Sequence, residues 1–589
     1  MSLYQAPVDD MQFVLFDVFK APKFWQGNAK LAQLIDCETA AAIIEESAKI
    51  TATTIAPNSR EADEQGVKFD NGVVTTPQSY KQSYNIIAEG GWTGLTGDSQ
   101  AGGMGMPKSL GVMFDEMLCS ADLSFSLYVG LTSAAALTLS SHGSDELKTT
   151  YLSNLYSGQW SGTMCLTESH AGTDLGLIHT KATPNDDGSY NLTGTKIFIT
   201  AGEHDLTENI IHLVLAKLPD APAGTRGISL FLVPKFHVDE QGSLGERNNV
   251  SCGSVEHKMG IHASATCVMN FDGAKGYMIG EPNRGLACMF TMMNYERLSM
   301  GSQGLGCAER SYQNALAYAK DRLQGKGLGS KNEKADSIMV HADVRRMLLN
   351  MKSLIEAGRA FNTYVAINLD KAAYADNDDD KQNFGAMAAM LTPIAKAFVT
   401  DMGLDICVTG QQIFGGHGYI REWGQEQLVR DVRISQIYEG TNGIQALDLI
   451  GRKVMGDKGK TATALFDEID AFIKSFGEED VSQGLSGMLG EKVIMMRIVT
   501  DMLIEKIMNR PDDAGGASVE YLHMMGYLLY GYMWLKIIKA AHEKDEGLYE
   551  NKMKTAEFYF FKVMCTMHSL KRSVLAGSRM LYLHDVDGF

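Results

Sequence analysis

Four polar segments carry residues whose types and spacing could do chemistry. VRDVRISQIYEGTNGIQ, residues 429–445, sets Glu439 between Tyr438 and Gly440 behind a charged helix. A carboxylate there could accept a proton, although a Glu before a glycine is more often a solvated cap than a catalyst. GGHGYIREWG, 415–424, holds the glycine pair Gly415 and Gly416, which could let backbone N–H groups approach a phosphate or could simply end a helix. CLTESHAGTD, 165–174, crowds hydroxyls, acids and a glycine turn together and by itself reads as a strand running into an Asx-type loop. GTKIFITAGE, 194–203, is an alternating strand that ends in a threonine, an ordinary β edge when taken alone.

Other chemistries lack their signatures. There is no G-x-x-x-x-G-K-[ST] and no G-x-S-x-G. GLGCAE at 304–309 approaches G-x-G-x-x-G, but it ends in Glu where a small residue should pack, and it lies inside a helical run. The nine cysteines are scattered without C-x-x-C or zinc-like Cys/His spacing, so no metal site is expected. His170 and His417 read as packing or turn residues.

The elements that must position these segments follow from periodicity. Helical spacing runs from about residue 25 to 155, with glycine turns at GGWTGL and AGGMGMP. NLTGTKIFIT, NIIHLVLAKL, GISLFLVPKF and ATCVMNFD are β-branched or alternating runs divided by turn clusters, which makes 160–280 a β barrel or sandwich. Helical periodicity returns at Leu286 and lasts to about 450, broken by GKGLGSKNEK at 325–334 and by NDDD at 377–380. The tail is helical again and includes the nearly charge-free stretch Tyr521–Leu535, read as a buried helix. The expectation is a mainly α chain with a central β domain, in four parts: 1–159, 160–280, 281–455 and 456–589.

Bulk properties narrow the classes. With 589 residues, 45% hydrophobic and 21% charged, the chain can bury large cores and is neither a disulfide scaffold nor disordered. A formal charge of -18 argues against nucleic acid as a partner, and the tail has no excess of basic residues. Leu123 to Ser144 lacks Asp, Glu, Lys and Arg for 22 residues, yet it is rich in Ser, Thr and Gly, so a buried helix is expected there rather than a membrane span. MSLYQAPVDDMQF has neither a basic n-region nor the Arg-rich character of a transit peptide, so the expected location is cytoplasmic.

Together the segments resemble the acyl-CoA dehydrogenase family of flavoproteins, over roughly residues 80–452. AGGMGMP, CLTESHAGTD, GTKIFIT, KMGIHASAT at 258–266, YERLSMGSQGLGCAERSYQNALAYAKDRLQ, QIFGGHGYIREWG and RDVRISQIYEGTNGIQ occur in the family's order. The family fold is a helical N-terminal domain, a middle β domain and a four-helix bundle. Because standard members end soon after the I-Q segment, this chain is similar to the longer bacterial branch, with an additional C-terminal helical domain. Four departures stand out: Phe198 replaces a usual Trp, Gly325-Lys326 a usual Phe-Gly, Gln427 a usual basic residue and Ser169 a frequent Pro.

The resemblance implies FAD-dependent α,β-dehydrogenation of a short- or medium-chain acyl-CoA, with 3-(methylthio)propanoyl-CoA from dimethylsulfoniopropionate breakdown among the candidate substrates. Glu439 is then the base, with Tyr438 beside the acyl chain and Arg297 supporting the site. Glu296, just before Arg297, fits the position used by isovaleryl-type members and is the alternative base. Thr167, Phe198 and Thr200 are implied at the isoalloxazine, and Thr173 at the pyrophosphate or CoA arm. Arg322, Gln324, Gln412, Gly415, Gly416 and Thr441 complete the implied cofactor contacts, with the diphosphate and adenosine held across a homodimer or tetramer. Electron-transferring flavoprotein is the implied acceptor. An acyl-CoA oxidase shares these motifs and stays open on residues alone. A DNA-associated alkylation-response flavoprotein would want a cationic face that the tail lacks.

Overall fold

The computed structural model describes residues 4–239, 242–477 and 480–588. It divides into two compact units, one formed by 49–107 and 121–296, the other by 1–48, 108–120 and 297–589.

The first unit is built on a seven-stranded sheet of β1 (Trp160–Cys165), β2 (Lys181–Pro184), β3 (Tyr190–Thr200), β4 (Asn209–Lys217), β5 (Ile228–Pro234), β6 (Val250–Val255) and β7 (Thr266–Ile279). The pairings β7–β3–β2–β4–β5–β7 close a ring, with β1 added parallel to β4 and β6 antiparallel to β7. NIIHLVLAK and ISLFLVP are apolar on both strand faces because both faces of β4 and β5 are buried, whereas β3 alternates. Helix α1, Leu123–His142, packs on this sheet: Ala135 lies so close to β1 that a Cβ on Gly162 would meet it at 2.4 Å. Asp122 caps α1 through the Phe125 N–H, and Thr132 and Thr138 return their hydroxyls to carbonyls one turn back. Among the described residues α1 is the one helix long and apolar enough to cross a membrane, and 78% of its apolar window is buried inside the protein.

The second unit is helical. It contains α2 (Gly285–Asp321) from Arg297 onward, α3 (Ala342–Ala373), α4 (Asp378–Ile413), the short α5 (Asn442–Asp448) and, from the tail, α6 (Asp513–Lys544) and α7 (Glu546–Phe558). The glycines of MGSQGLG let α2 and α4 meet backbone to backbone, since a Cβ on Gly403 would stand 2.6 Å from the Gly304 carbonyl. Asn377 caps α4 by accepting from the Asp380 N–H, which is why NDDD interrupts the helical pattern. The helix Lys108–Ala121 joins this unit through Asp370, which accepts from the Lys108 and Ser109 N–H groups at 2.6 and 2.9 Å.

Tail helix α6 completes the bundle's core. Trp534 is fully buried and donates to the Ser353 carbonyl of α3, and Phe398 of α4 packs edge-on against Tyr527 and Tyr530. A buried charge network ties the chain ends together: Arg359 binds Asp10, Glu116 and Glu309, while Lys552 of α7 binds Asp10 and Glu356. Two cations thus serve four carboxylates, and at Glu116 burial outweighs the pull of Arg359 and lifts the carboxyl to about 7.

Candidate active site

Glu439 lies in the turn between the 3₁₀ segment Arg433–Gln436 and α5, at φ 56°, a left-handed conformation unusual for a residue with a Cβ. Gly440 follows at φ 81°, and Gln445 Nε2 donates to the Glu439 carbonyl at 3.1 Å. Burial raises the Glu439 pKa, while Arg297 and Lys396 restrain the rise. Arg297 is itself buried and stands 3.7 Å from Asp448, with its guanidinium pKa lowered by desolvation and supported by Asp448 and Glu439. Lys396, fully buried on α4, donates to Asn442 Oδ1 at 2.7 Å. Desolvation brings its ammonium down to about 7 against the pull of Glu439 and Asp401. A carboxylate with a raised pKa can accept a proton, while the Arg297 guanidinium, and Lys396 while it is protonated, can stabilise nearby negative charge.

Tyr438, beside it, donates its hydroxyl to Gln303 of α2. Thr441 caps α5 by accepting from the Ile444 N–H. Glu296 is buried on α2 immediately before Arg297.

Arg322, Gln324, Gln412, Gly415 and Gly416, remote in sequence, line one cavity of about 490 Å³ together with Tyr318, His341 and Phe414. Gly415 sits at φ 58° and Gly416 beside it is equally open, with nothing within 4 Å of where a Cβ would stand at either residue. The Arg322 guanidinium makes no ion pair among the described residues. Open backbone, an uncommitted guanidinium and stacked aromatics (Tyr318 on Phe414 at 4.2 Å) suit the diphosphate and adenosine of a nucleotide cofactor. Gly325 leaves room that His341 takes up: a Cβ there would lie 3.3 Å from the imidazole, whose Nε2 binds the Gln324 carbonyl at 2.7 Å.

In the first unit Thr167 and Thr200 are half-buried, Thr173 is exposed, and Phe198 is 58% exposed at φ 60°, beside a register shift between β3 and β7. An aromatic ring held outward on strained backbone suits stacking against a flat ligand. The Thr167 loop is pinned to β3 by Ile197 N–H, which donates to the Thr167 carbonyl, and by buried Lys196, which donates to Leu166 O and Glu168. His170 and His179 stack near Glu168, with potential ligand atoms within 4.8 Å of one another. The Glu168 carboxylate is already engaged by Lys196, by the Thr180 N–H and hydroxyl, and by the His179 N–H.

Sequence reasoning missed Lys396, Asn442, Asp401 and His341. The available signal was a single cation inside the apolar run LTPIAKAFV and an Asn after Y-E-G-T.

Family models described as acyl-CoA dehydrogenase N-terminal, middle and C-terminal domains match residues 38–159, 163–274 and 283–455. One described as acetyl-CoA dehydrogenase C-terminal like matches 465–584. Over 567 residues the chain is 41% identical to the 3-methylmercaptopropionyl-CoA dehydrogenase of Ruegeria pomeroyi, spanning 95% of this chain and 96% of that one. The structure of Caenorhabditis elegans ACDH-11 in complex with C11-CoA superposes with a TM-score of 0.80 at 19% identity, covering 99% of this chain and 96% of that chain. An acyl-CoA dehydrogenase complexed with FAD from Bacillus anthracis does so at 0.74 and 21% identity, covering 93% and 89%.

Proposed function

The chain belongs to the acyl-CoA dehydrogenase family, whose members are FAD-dependent, and from that premise we propose how its own residues serve the reaction. The protein is an acyl-CoA dehydrogenase: it takes an acyl-CoA thioester to the trans-2-enoyl-CoA. Bound FAD supplies the acceptor for the hydride that leaves the β-carbon.

Glu439 is the base that removes the α-proton. A free carboxylate is too weak for such a carbon acid, so its pKa must be raised and the substrate's lowered. The observation that carries the assignment is the placement of Glu439 on a left-handed turn, raised by burial and faced by the charges of Arg297 and Lys396. Those cations favour the ionised form of the carboxylate against burial and would stabilise the negative charge that builds up on the thioester oxygen. Tyr438 would flank the acyl chain. Glu296, buried before Arg297, is the alternative base. Arg322, Gln324, Gln412, Gly415 and Gly416 would hold the FAD diphosphate and adenosine, Thr167, Thr200 and Phe198 the isoalloxazine, and Thr173 the pyrophosphate or CoA arm.

The finer reading is a homodimer or tetramer passing electrons to electron-transferring flavoprotein, in four parts divided near 159, 280 and 455. A cytoplasmic location is supported by nine free thiols, seven of them buried. Substrate candidates include 3-(methylthio)propanoyl-CoA, supported by the likeness to the Ruegeria pomeroyi enzyme.

Anaerobic flavin bleaching across an acyl-CoA panel that includes 3-(methylthio)propanoyl-CoA tests the substrate. Glu439→Gln should retain FAD and acyl-CoA binding and reduce flavin slower by about 10³-fold or more. Undiminished reduction in that variant, with collapse in Glu296→Gln, would move the base to Glu296.

A further inference from the structure

We propose that His523, contributed by tail helix α6, is a positioning residue for the base, acting through Asp401 to fix the turn that presents Glu439. The proposal rests on the reading of Glu439 as base. His523 Nε2 donates to Asp401 Oδ2 at 2.9 Å. The other carboxylate oxygen, Oδ1, accepts from Gln436 Nε2 at 2.6 Å and from Asn442 Nδ2 at 2.7 Å. Gln436 and Asn442 bracket the turn that carries Glu439, so one carboxylate grips both of its ends. A carboxylate can accept several such donors at once, and both of its oxygens are used here.

The need for a clamp follows from the backbone. Glu439 at φ 56° holds a conformation that persists only where the surroundings over-determine it. The surroundings are one stretch of α4: Lys396, Ala397 and Thr400 bind the Asn442 side chain, and Asp401, the next residue of that helix, binds both Asn442 and Gln436 and is itself held by the His523 imidazole of α6. His523 donates through Nε2 whether or not Nδ1 carries a proton, so the clamp does not depend on the imidazole's charge. The ring is itself held edge-on against Phe398 at 5.6 Å, and the side chains of His523 and Asp401 are only 19% and 22% exposed. The added C-terminal domain thereby takes part in shaping the reaction centre without touching substrate.

The test uses the full-length, FAD-loaded enzyme in anaerobic stopped-flow mixing with a saturating acyl-CoA. His523→Leu should slow flavin reduction by about 10- to 100-fold, the scale of a small misplacement of a reacting group, with FAD content kept and the half-saturating acyl-CoA concentration changed by less than about twofold. His523→Gln, whose amide can donate to Asp401, should recover most of the rate. Asp401→Asn should slow reduction like His523→Leu, and the double variant should be little worse than either, because the two act as one unit. A wild-type rate in His523→Leu overturns the proposal. So does a loss that Gln fails to rescue and that tracks falling FAD content. If His523→Leu is insoluble, Asp401→Asn decides, a wild-type rate again overturning it. Glu439→Gln is run alongside: a wild-type rate there removes the base assignment itself, whereas an inactive Glu439→Gln with an unaffected His523→Leu removes only the clamp.

Discussion

Lys396 and Asn442 are joined by a 2.7 Å hydrogen bond that fixes a fully buried ammonium at the first residue of α5, just past the turn carrying Glu439. The lysine therefore acts on the base both as a tether and as a charge.

Replacing it separates those effects through pH. Burial raises the Glu439 pKa, and Lys396, with Arg297, restrains it. The base works ionised, so the rate rises as pH passes upward through its pKa. In Lys396→Met the restraint is weaker, and the acidic limb of the rate of flavin reduction should move to higher pH. Single-turnover rates across pH check this, and a limb that stays in place or moves down contradicts it.

A second prediction concerns acid stability. Burial would raise the Glu168 pKa, but Lys196, Thr180 and the His179 N–H outweigh burial and hold it at about 2. A folded pKa below the unfolded value contributes stability that is complete above about 4.3 and lost as pH falls toward about 2. Glu168→Gln leaves Lys196 buried without its counter-charge, which should cost about 3 kcal/mol or more at neutral pH. The variant's melting curve should also lose part of the acid dependence seen between those two pH values.

Cofactor affinity offers a third. Arg322→Ala should weaken FAD binding by about tenfold, the scale of a lost charged hydrogen bond. Gly415→Val meets no neighbour, yet it imposes a side chain on backbone at φ 58°, at a cost of about 1–2 kcal/mol. Titrating FAD into apoprotein and following flavin fluorescence measures the first, and the thermal melting of apoprotein the second.

Truncation after Met455 is the fourth. It would strip Trp534, Tyr527 and Tyr530 from α3 and α4 and take Lys552 away from Asp10 and Glu356, leaving Arg359 to face Asp10, Glu116 and Glu309 without that second cation. The expected product is insoluble or aggregated, as judged by size-exclusion chromatography. A soluble, FAD-binding fragment would mean that the bundle's core closes without α6.

Much of this was legible in local patterns. The switch from helical to β-branched runs near residue 160 is physical, because β4 and β5 are buried on both faces and must be continuously apolar. NDDD was legible as a break in the helical periodicity, but not as the start of α4, which Asn377 caps. The cofactor segments were legible because glycines and an Arg recur at spacings the resemblance supplied. Lys396 was not: a lysine in an apolar helix looks like an ordinary surface cation until its partner, 46 residues onward, is known. His523 was hidden for the same reason, since its meaning depends on Asp401, 122 residues earlier. Phe198 was legible as a departure in type, but its left-handed backbone was not, because the bulge that creates it belongs to the pairing of β3 with β7.

Helix α6 supplies interior residues to helices that precede it by more than a hundred positions. The tail is therefore not a cassette. A chimera that grafts it onto a shorter relative would add a helix with no slot to enter, and one that trims it from this chain would open a slot with nothing to fill it. Exchange between short and long members should succeed only when α3, α4 and α6 are recombined as one block. Ancestral lengthening of such a chain would have had to remodel the facing surfaces of the bundle at the same time as it extended the reading frame.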